Sequence, residues 1–112
     1  MPSLVIHTPE YQLVREDAKS FEDTFDTGVG KAYALNSTIY RQIYPGCRVV
    51  LLCKDRRRRR AEGKLVRLEP AIKDGRRWVT KNGIQRYDVY VENFEMVPYR
   101  PEALNRNGVA VV

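Results

Sequence analysis

Histidine occurs once, at His7, and cysteine twice, at Cys47 and Cys53. One histidine and two cysteines without a C-x-x-C spacing fall short of the ligands a structural zinc site needs. Six positions apart on one extended segment, the two cysteines lie roughly 20 Å from each other. A disulfide needs Cα atoms within about 7 Å, so both are read as reduced, partly buried thiols. A lone histidine with no nucleophile signature beside it makes no triad. The acids Glu22, Asp23 and Asp26 read as a solvated loop, not a catalytic carboxylate pair. No apolar run approaches the roughly 20 residues that cross a bilayer. Met1 to Glu10 lacks the basic flank and long apolar stretch of a signal peptide. These absences point to a cytoplasmic protein with no metal, no cofactor and no membrane partner.

What is present suits one globular domain over residues 1–112. Hydrophobic content is 43% and charged content 30%, enough apolar matter for a modest core and against disorder. The net charge of +6 is unevenly placed. Up to Pro45 the bases Arg15, Lys19, Lys31 and Arg41 face Glu10, Glu16, Asp17, Glu22, Asp23 and Asp26, a net −2, so the remainder carries +8. That asymmetry predicts a basic face on the second half, suited to an acidic partner.

Leu4-Val5-Ile6 predicts a first strand. Thr8 and Pro9 open a helix over about residues 9–20, with Tyr11, Val14, Ala18 and Phe21 on one face. Glu22 to Lys31, acidic and then punctuated by Gly28 and Gly30, predicts a loop. Leu35, Ile39 and Ile43 recur at every fourth position and predict a second short helix, capped by Asn36 or Ser37 and ended at Pro45-Gly46. Strands follow near residues 48–54, 63–69, 76–80, 84–92 and 94–99, separated by turn signals at Lys73-Asp74-Gly75 and Lys81-Asn82-Gly83. Gly108 to Val112 adds a last strand or frays. The pattern predicts an α+β fold: a small, mostly antiparallel, partly open β-barrel with two short helices.

Three constellations carry chemistry. The first is Arg56, Arg57, Arg58, Arg59 and Arg60, five guanidiniums between two apolar strands. An unpaired buried guanidinium costs several kcal/mol, so the run predicts a tip facing water or a polyanion, where forked donors match phosphate oxygens. Lys54, Lys64, Arg67, Arg76, Arg77 and Arg86 add to it. The second is aromatic: Trp78 and Tyr87 lie on strands among these bases, as platforms for a nucleobase. The third is Thr27-Gly28-Val29-Gly30-Lys31. It lacks the earlier glycine and the following Ser or Thr of a phosphate-binding loop, places held by Phe25 and Ala32, which excludes that motif's nucleotide hydrolysis. Its glycines still let backbone approach a ligand closely.

The stretch Gly28 to Leu35, then a short helix, then Ile43-Tyr44-Pro45-Gly46-Cys47-Arg48-Val49-Val50-Leu51-Leu52, resembles the PUA-like superfamily, in particular its EVE and ASCH branches. The likeness runs from Gly28 to Leu68. It implies a pseudobarrel with a cleft beside a glycine-lysine loop, and a function in binding RNA or a modified nucleobase. Lys31 is similar in place to the lysine of ASCH-type amidohydrolases acting on modified cytidine, although the threonine that matches theirs is absent. The reading favours a binding module over an enzyme, with the question of activity open, and RNA over DNA. Gly28, Gly30, Lys31, Tyr33 and Tyr87 line its cleft. Arg56 to Arg60, Lys64, Arg76, Arg77 and Arg86 hold phosphates, and Trp78 or Tyr87 stacks a base. Two alternatives stand beside it: a barrel docking an acidic protein through the arginine tip, and a small hydrolase of a modified nucleoside using Lys31.

Overall fold

Arg48 to Cys53 is apolar at every position after the first, and each of those five side chains is fully buried. A strand with no polar face needs cover on both sides of its sheet, and the rest of the chain supplies it. The computed structural model describes residues 2–8, 20–54 and 58–112. The elements run β1 (Ser3–His7), α1 (Phe21–Thr27), β2 (Val29–Ala34), α2 (Ser37–Gln42), β3 (Arg48–Cys53), β4 (Arg59–Pro70), β5 (Ile72–Lys73), β6 (Arg76–Arg77), β7 (Arg86–Val97) and β8 (Val109–Val111). One six-stranded sheet has the order β2-β7-β4-β3-β1-β8, and β5 and β6 form a separate ribbon. Pairing is antiparallel except between β1 and β3, which run parallel with Val5 opposite Val50.

The sheet curls into a half-barrel. Leu4, Ile6, Val49, Leu51, Cys53, Val89 and Val91 face inward, where Phe21 of α1 and Ile39 of α2 meet them. The curl brings edge strand β2 round to β1: the Tyr33 hydroxyl donates to the carbonyl of His7 at 3.0 Å. Two irregularities in the β4–β7 ladder bend it, one between Glu62 and Lys64 and one between Leu65 and Arg67. At the first, Asn93 on β7 takes a left-handed φ of 60°, as an inserted bulge residue does. The two strands expected over 84–92 and 94–99 are therefore one long strand, kinked at Asn93.

Three further expectations about local structure need correction. Glu22 to Lys31 is not a loop. Ser20 caps α1 by accepting from the Asp23 amide at 3.2 Å, and Gly28 ends the helix in left-handed conformation before β2 begins. The strand after the arginine run starts at Arg59, not Gly63. The strand near 76–80 shortens to Arg76–Arg77 and one bridge between Val79 and Gln85. The first expected helix falls, but for Ser20, on residues outside those described, as do Arg56 and Arg57. Asn36 does cap α2, accepting from the Ile39 amide at 2.9 Å.

The largest correction concerns the arginine run. Arg58 is exposed, but Arg59 and Arg60 belong to β4, and a strand sends successive side chains to opposite faces. Arg59 turns inward over the Phe21 ring, 4.5 Å from its centroid, and meets Glu22 at 3.3 Å. Arg60 turns outward beneath the C-terminal segment and is only 2% exposed. It contacts Glu62 and Glu102, each at 3.1 Å, and donates to the Arg100 carbonyl at 2.8 Å. The expected burial cost is met by carboxylates, two of them distant in sequence. The same segment lays Tyr99 and Leu104 over Val5, Val50 and Leu52 on the outer face of the sheet.

Arg60→Ala removes the one cation shared by Glu62 and Glu102. Both carboxylates keep some access to water, so the loss is placed at the low end for a broken buried pair, about 3 kcal/mol. Arg58→Ala, at an exposed position, changes stability by no more than about 0.5 kcal/mol. Urea unfolding of the two variants checks the contrast, and equal midpoints would contradict the buried clamp.

Candidate nucleic-acid interface

Asp88 sits on the outer face of β7, and its carboxylate gathers the first cleft. Its Oδ1 accepts from the Ala32 amide at 3.0 Å, and its Oδ2 meets Lys31 Nζ at 3.0 Å. Ala32 has a left-handed φ of 61°, where the β2–β7 pairing slips between Gly30 and Tyr33. The slip turns an amide and a lysine from neighbouring positions onto one carboxylate. Arg86 grips the same bulge from the other side, donating to the Ala32 carbonyl at 2.8 Å. Lys31, Asp88, Glu69, Pro70, Ile72 and Trp78 thus border a hollow of about 450 Å³, within the range of small-ligand clefts.

Beside the hollow stands the β5–β6 ribbon. Its turn residues Asp74 and Gly75 have φ of 54° and 75°, the paired positive values of a two-residue hairpin turn. The ribbon presents Lys73, Arg76 and Arg77, all exposed. Lys73 Nζ lies 4.6 Å and the Arg86 guanidinium 5.1 Å from the centroid of Trp78. The indole is thus half-buried within a cationic surround.

Tyr87, next to Asp88 in β7, points to the opposite face of the strand. Its ring stacks on Tyr40 of α2 with centroids 5.1 Å apart. With Asn36, Arg41, Ile84 and Gln85 the two tyrosines border a second hollow of about 420 Å³. Burial raises the Tyr87 hydroxyl pKa above its ordinary value, Tyr40 adds to that, and the charge of Arg77 works against it. Tyr90, on the same side as Asp88, is raised chiefly by its hydrogen bond to Glu69, with burial second. Its ring carries Arg67 at 4.0 Å.

The expected site residues therefore divide. Lys31 and Trp78 line the first cleft, Arg86 packs on the Trp78 ring and the Ala32 carbonyl beside it, Arg76 and Arg77 are exposed on the adjoining ribbon, and Tyr87 opens on the second cleft. Gly28 and Gly30 line neither. Gly28 adopts φ 72° as the end of α1, where a Cβ would sit 2.5 Å from the Val91 carbonyl oxygen; a Cβ on Gly30 would sit 3.1 Å from Ile6 inside the barrel. Tyr33 belongs to the seam with His7. Lys64 borders a separate hollow with Arg48, Glu62 and Glu95, where acids balance bases. Arg59 and Arg60 are committed to internal carboxylates. Asp88 and Glu69 were missed. Asp88 reads in sequence only as one polar residue of a strand face, because its partner Lys31 lies 57 residues away.

Among the described residues no three His, Cys, Asp or Glu side chains gather as a metal site, and no helix is long and apolar enough to cross a membrane. Comparison with family models, curated proteins and solved structures finds no match for this chain.

Glu69→Gln removes the negative charge that disfavours the Tyr90 phenolate, so Tyr90 titrates closer to its ordinary value of 10.0. An ultraviolet titration, with Tyr90→Phe identifying the band, reads this shift. An unmoved transition would mean that Glu69 does not hold the hydroxyl.

Proposed function

We propose that this protein is a single-stranded RNA-binding module of PUA-like type, taking an unpaired base in the cleft between Trp78 and the Lys31–Asp88 pair. The observation that carries this reading is the juxtaposition of one half-buried indole, a lysine–carboxylate pair and an exposed basic ribbon at one hollow. Stacking on an aromatic ring contributes about 1–3 kcal/mol per base and tolerates any sequence. Lys31 offers donors to a base carbonyl, while the remaining lone pairs of Asp88 accept from an exocyclic amine. Lys73, Arg76 and Arg77 neutralise the phosphates on either side. The curled half-barrel with two short helices supports the PUA-like assignment. RNA is preferred to DNA on the resemblance of Gly28 to Leu68 to that superfamily.

The ligand contacts shift from the arginine run to the ribbon. Two of the three described arginines of the run are held by the protein's own acids, whereas Arg76 and Arg77 are exposed beside an aromatic ring. Three ribbon cations give a slope of roughly −2 in log K against log salt, at about 0.7 per phosphate contact.

Short single-stranded RNA quenches the fluorescence of Trp78, the only tryptophan in the chain. Replacing Arg76 and Arg77 together by Ala lowers the salt slope by about 1.4. Trp78→Ala weakens binding by roughly five- to hundred-fold, the loss of one stack, in an anisotropy assay that needs no intrinsic signal. Absence of binding to RNA and DNA at low salt would reject the proposal.

A further inference from the structure

The two clefts share a wall. Gln85 borders the second, and its side-chain amide donates to the carbonyl of Trp78, which borders the first, at 3.1 Å. The same amide donates to the Arg86 carbonyl at 2.7 Å, and the Arg86 amide donates back to the Trp78 carbonyl at 2.9 Å. Trp78 and Tyr87 are thus not alternative platforms at one site. They stand on either side of a partition one strand thick, each with its own hollow of similar volume.

The second cleft has the features of a stacking station. Tyr40 stacks on Tyr87, yet the residue is 45% exposed and both tyrosines border the open hollow. Arg41 follows Tyr40 on α2 and is exposed at the same hollow. Arg77, the neighbour of Trp78 in sequence, places its charge near enough to Tyr87 to act on that hydroxyl. Arg77 is exposed on β6 directly before Trp78, so a cation is available to a phosphate that joins bases at the two platforms.

We infer that the Tyr40–Tyr87 pair is a second base-stacking station, so that one strand of RNA crosses the Gln85 partition with a base on Trp78, a phosphate at Arg77 and a neighbouring base on Tyr40. This rests on the RNA-binding reading above and adds to it a minimum ligand of more than one nucleotide and a path. Tyr40 supplies a face and no sequence preference, whereas the first cleft, with its carboxylate and lysine, reads the base edge. A strand on this path is held at two points, so affinity rises with length until both are filled.

The test is a length series of oligocytidines, whose base carries both a carbonyl and an exocyclic amine, from the mononucleotide to the hexamer, measured on wild type, Tyr40→Ala and Tyr40→Phe. Trp78 quenching reports the first cleft, and anisotropy reports total binding. In wild type the affinity rises steeply once the ligand exceeds one nucleotide. Tyr40→Ala leaves mononucleotide quenching unchanged and weakens the longer ligands roughly ten-fold, within the range for one lost stack, while Tyr40→Phe keeps wild-type behaviour. If Tyr40→Ala binds every length as wild type does, the second station is overturned and the first cleft stands. Equal weakening at all lengths, mononucleotide included, also overturns it, since Tyr40 would then act through the fold. If no oligocytidine and no other RNA binds, both readings fall together.

Discussion

A guanidinium buried beneath an irregular segment holds this fold together. Residues 98–105 have no regular secondary structure, yet they cover the outer side of β3, where Val50 and Leu52 would otherwise face water. A covering segment without its own ladder needs anchors. Arg60 supplies them by reaching a backbone carbonyl and two carboxylates at once, with the forked geometry that a lysine lacks. The energy of such a cluster is modest once desolvation is counted. Its larger effect is on register, because the segment must place Glu102 and the Arg100 carbonyl at fixed points for Arg60 to be satisfied. The fixed segment then delivers the chain to β8, which pairs with β1 and completes the sheet.

The same alternation that sends Arg59 and Arg60 to opposite faces organises the candidate site at the other end of the sheet. Along β7, Tyr87, Val89 and Val91 face the barrel interior, and Asp88 and Tyr90 face out. One strand therefore supplies the carboxylate of the first cleft and the ring of the second from adjacent positions. The ribbon β5–β6 extends the partition, and Gln85 ties the two together. A shallow surface acquires two separate hollows because one strand divides them.

Elements with strong local signals were legible in the sequence. The β3 run, the cap at Asn36, the Lys73-Asp74-Gly75 turn and the mostly antiparallel plan all follow from spacing and turn chemistry. The helix α1 was readable too, since Ser20, the acids Glu22 and Asp23 and the terminal Gly28 are start and stop signals; two glycines in three positions drew attention to a loop instead. What was not legible depends on distance along the chain. Whether Arg60 is exposed turns on Glu102, and whether Lys31 lines a cleft turns on Asp88. Local chemistry gave the cost of burying a guanidinium but not the carboxylates that meet it. Trp78 among basic residues was visible because its neighbours are sequential. Its separation from Tyr87 was not, because that needs the register of β7 against the ribbon.

Cys47 and Cys53 remain at full depth inside the barrel, with no exposed surface on either. Cys53 ends β3 opposite Arg59 of β4 and precedes the exposed Lys54. An electrophile reaches its thiol only when that end of the strand opens, so its alkylation rate times the opening of the β3–β4 pairing there. The protein carries within its own sequence a reporter of that opening that needs no engineered label.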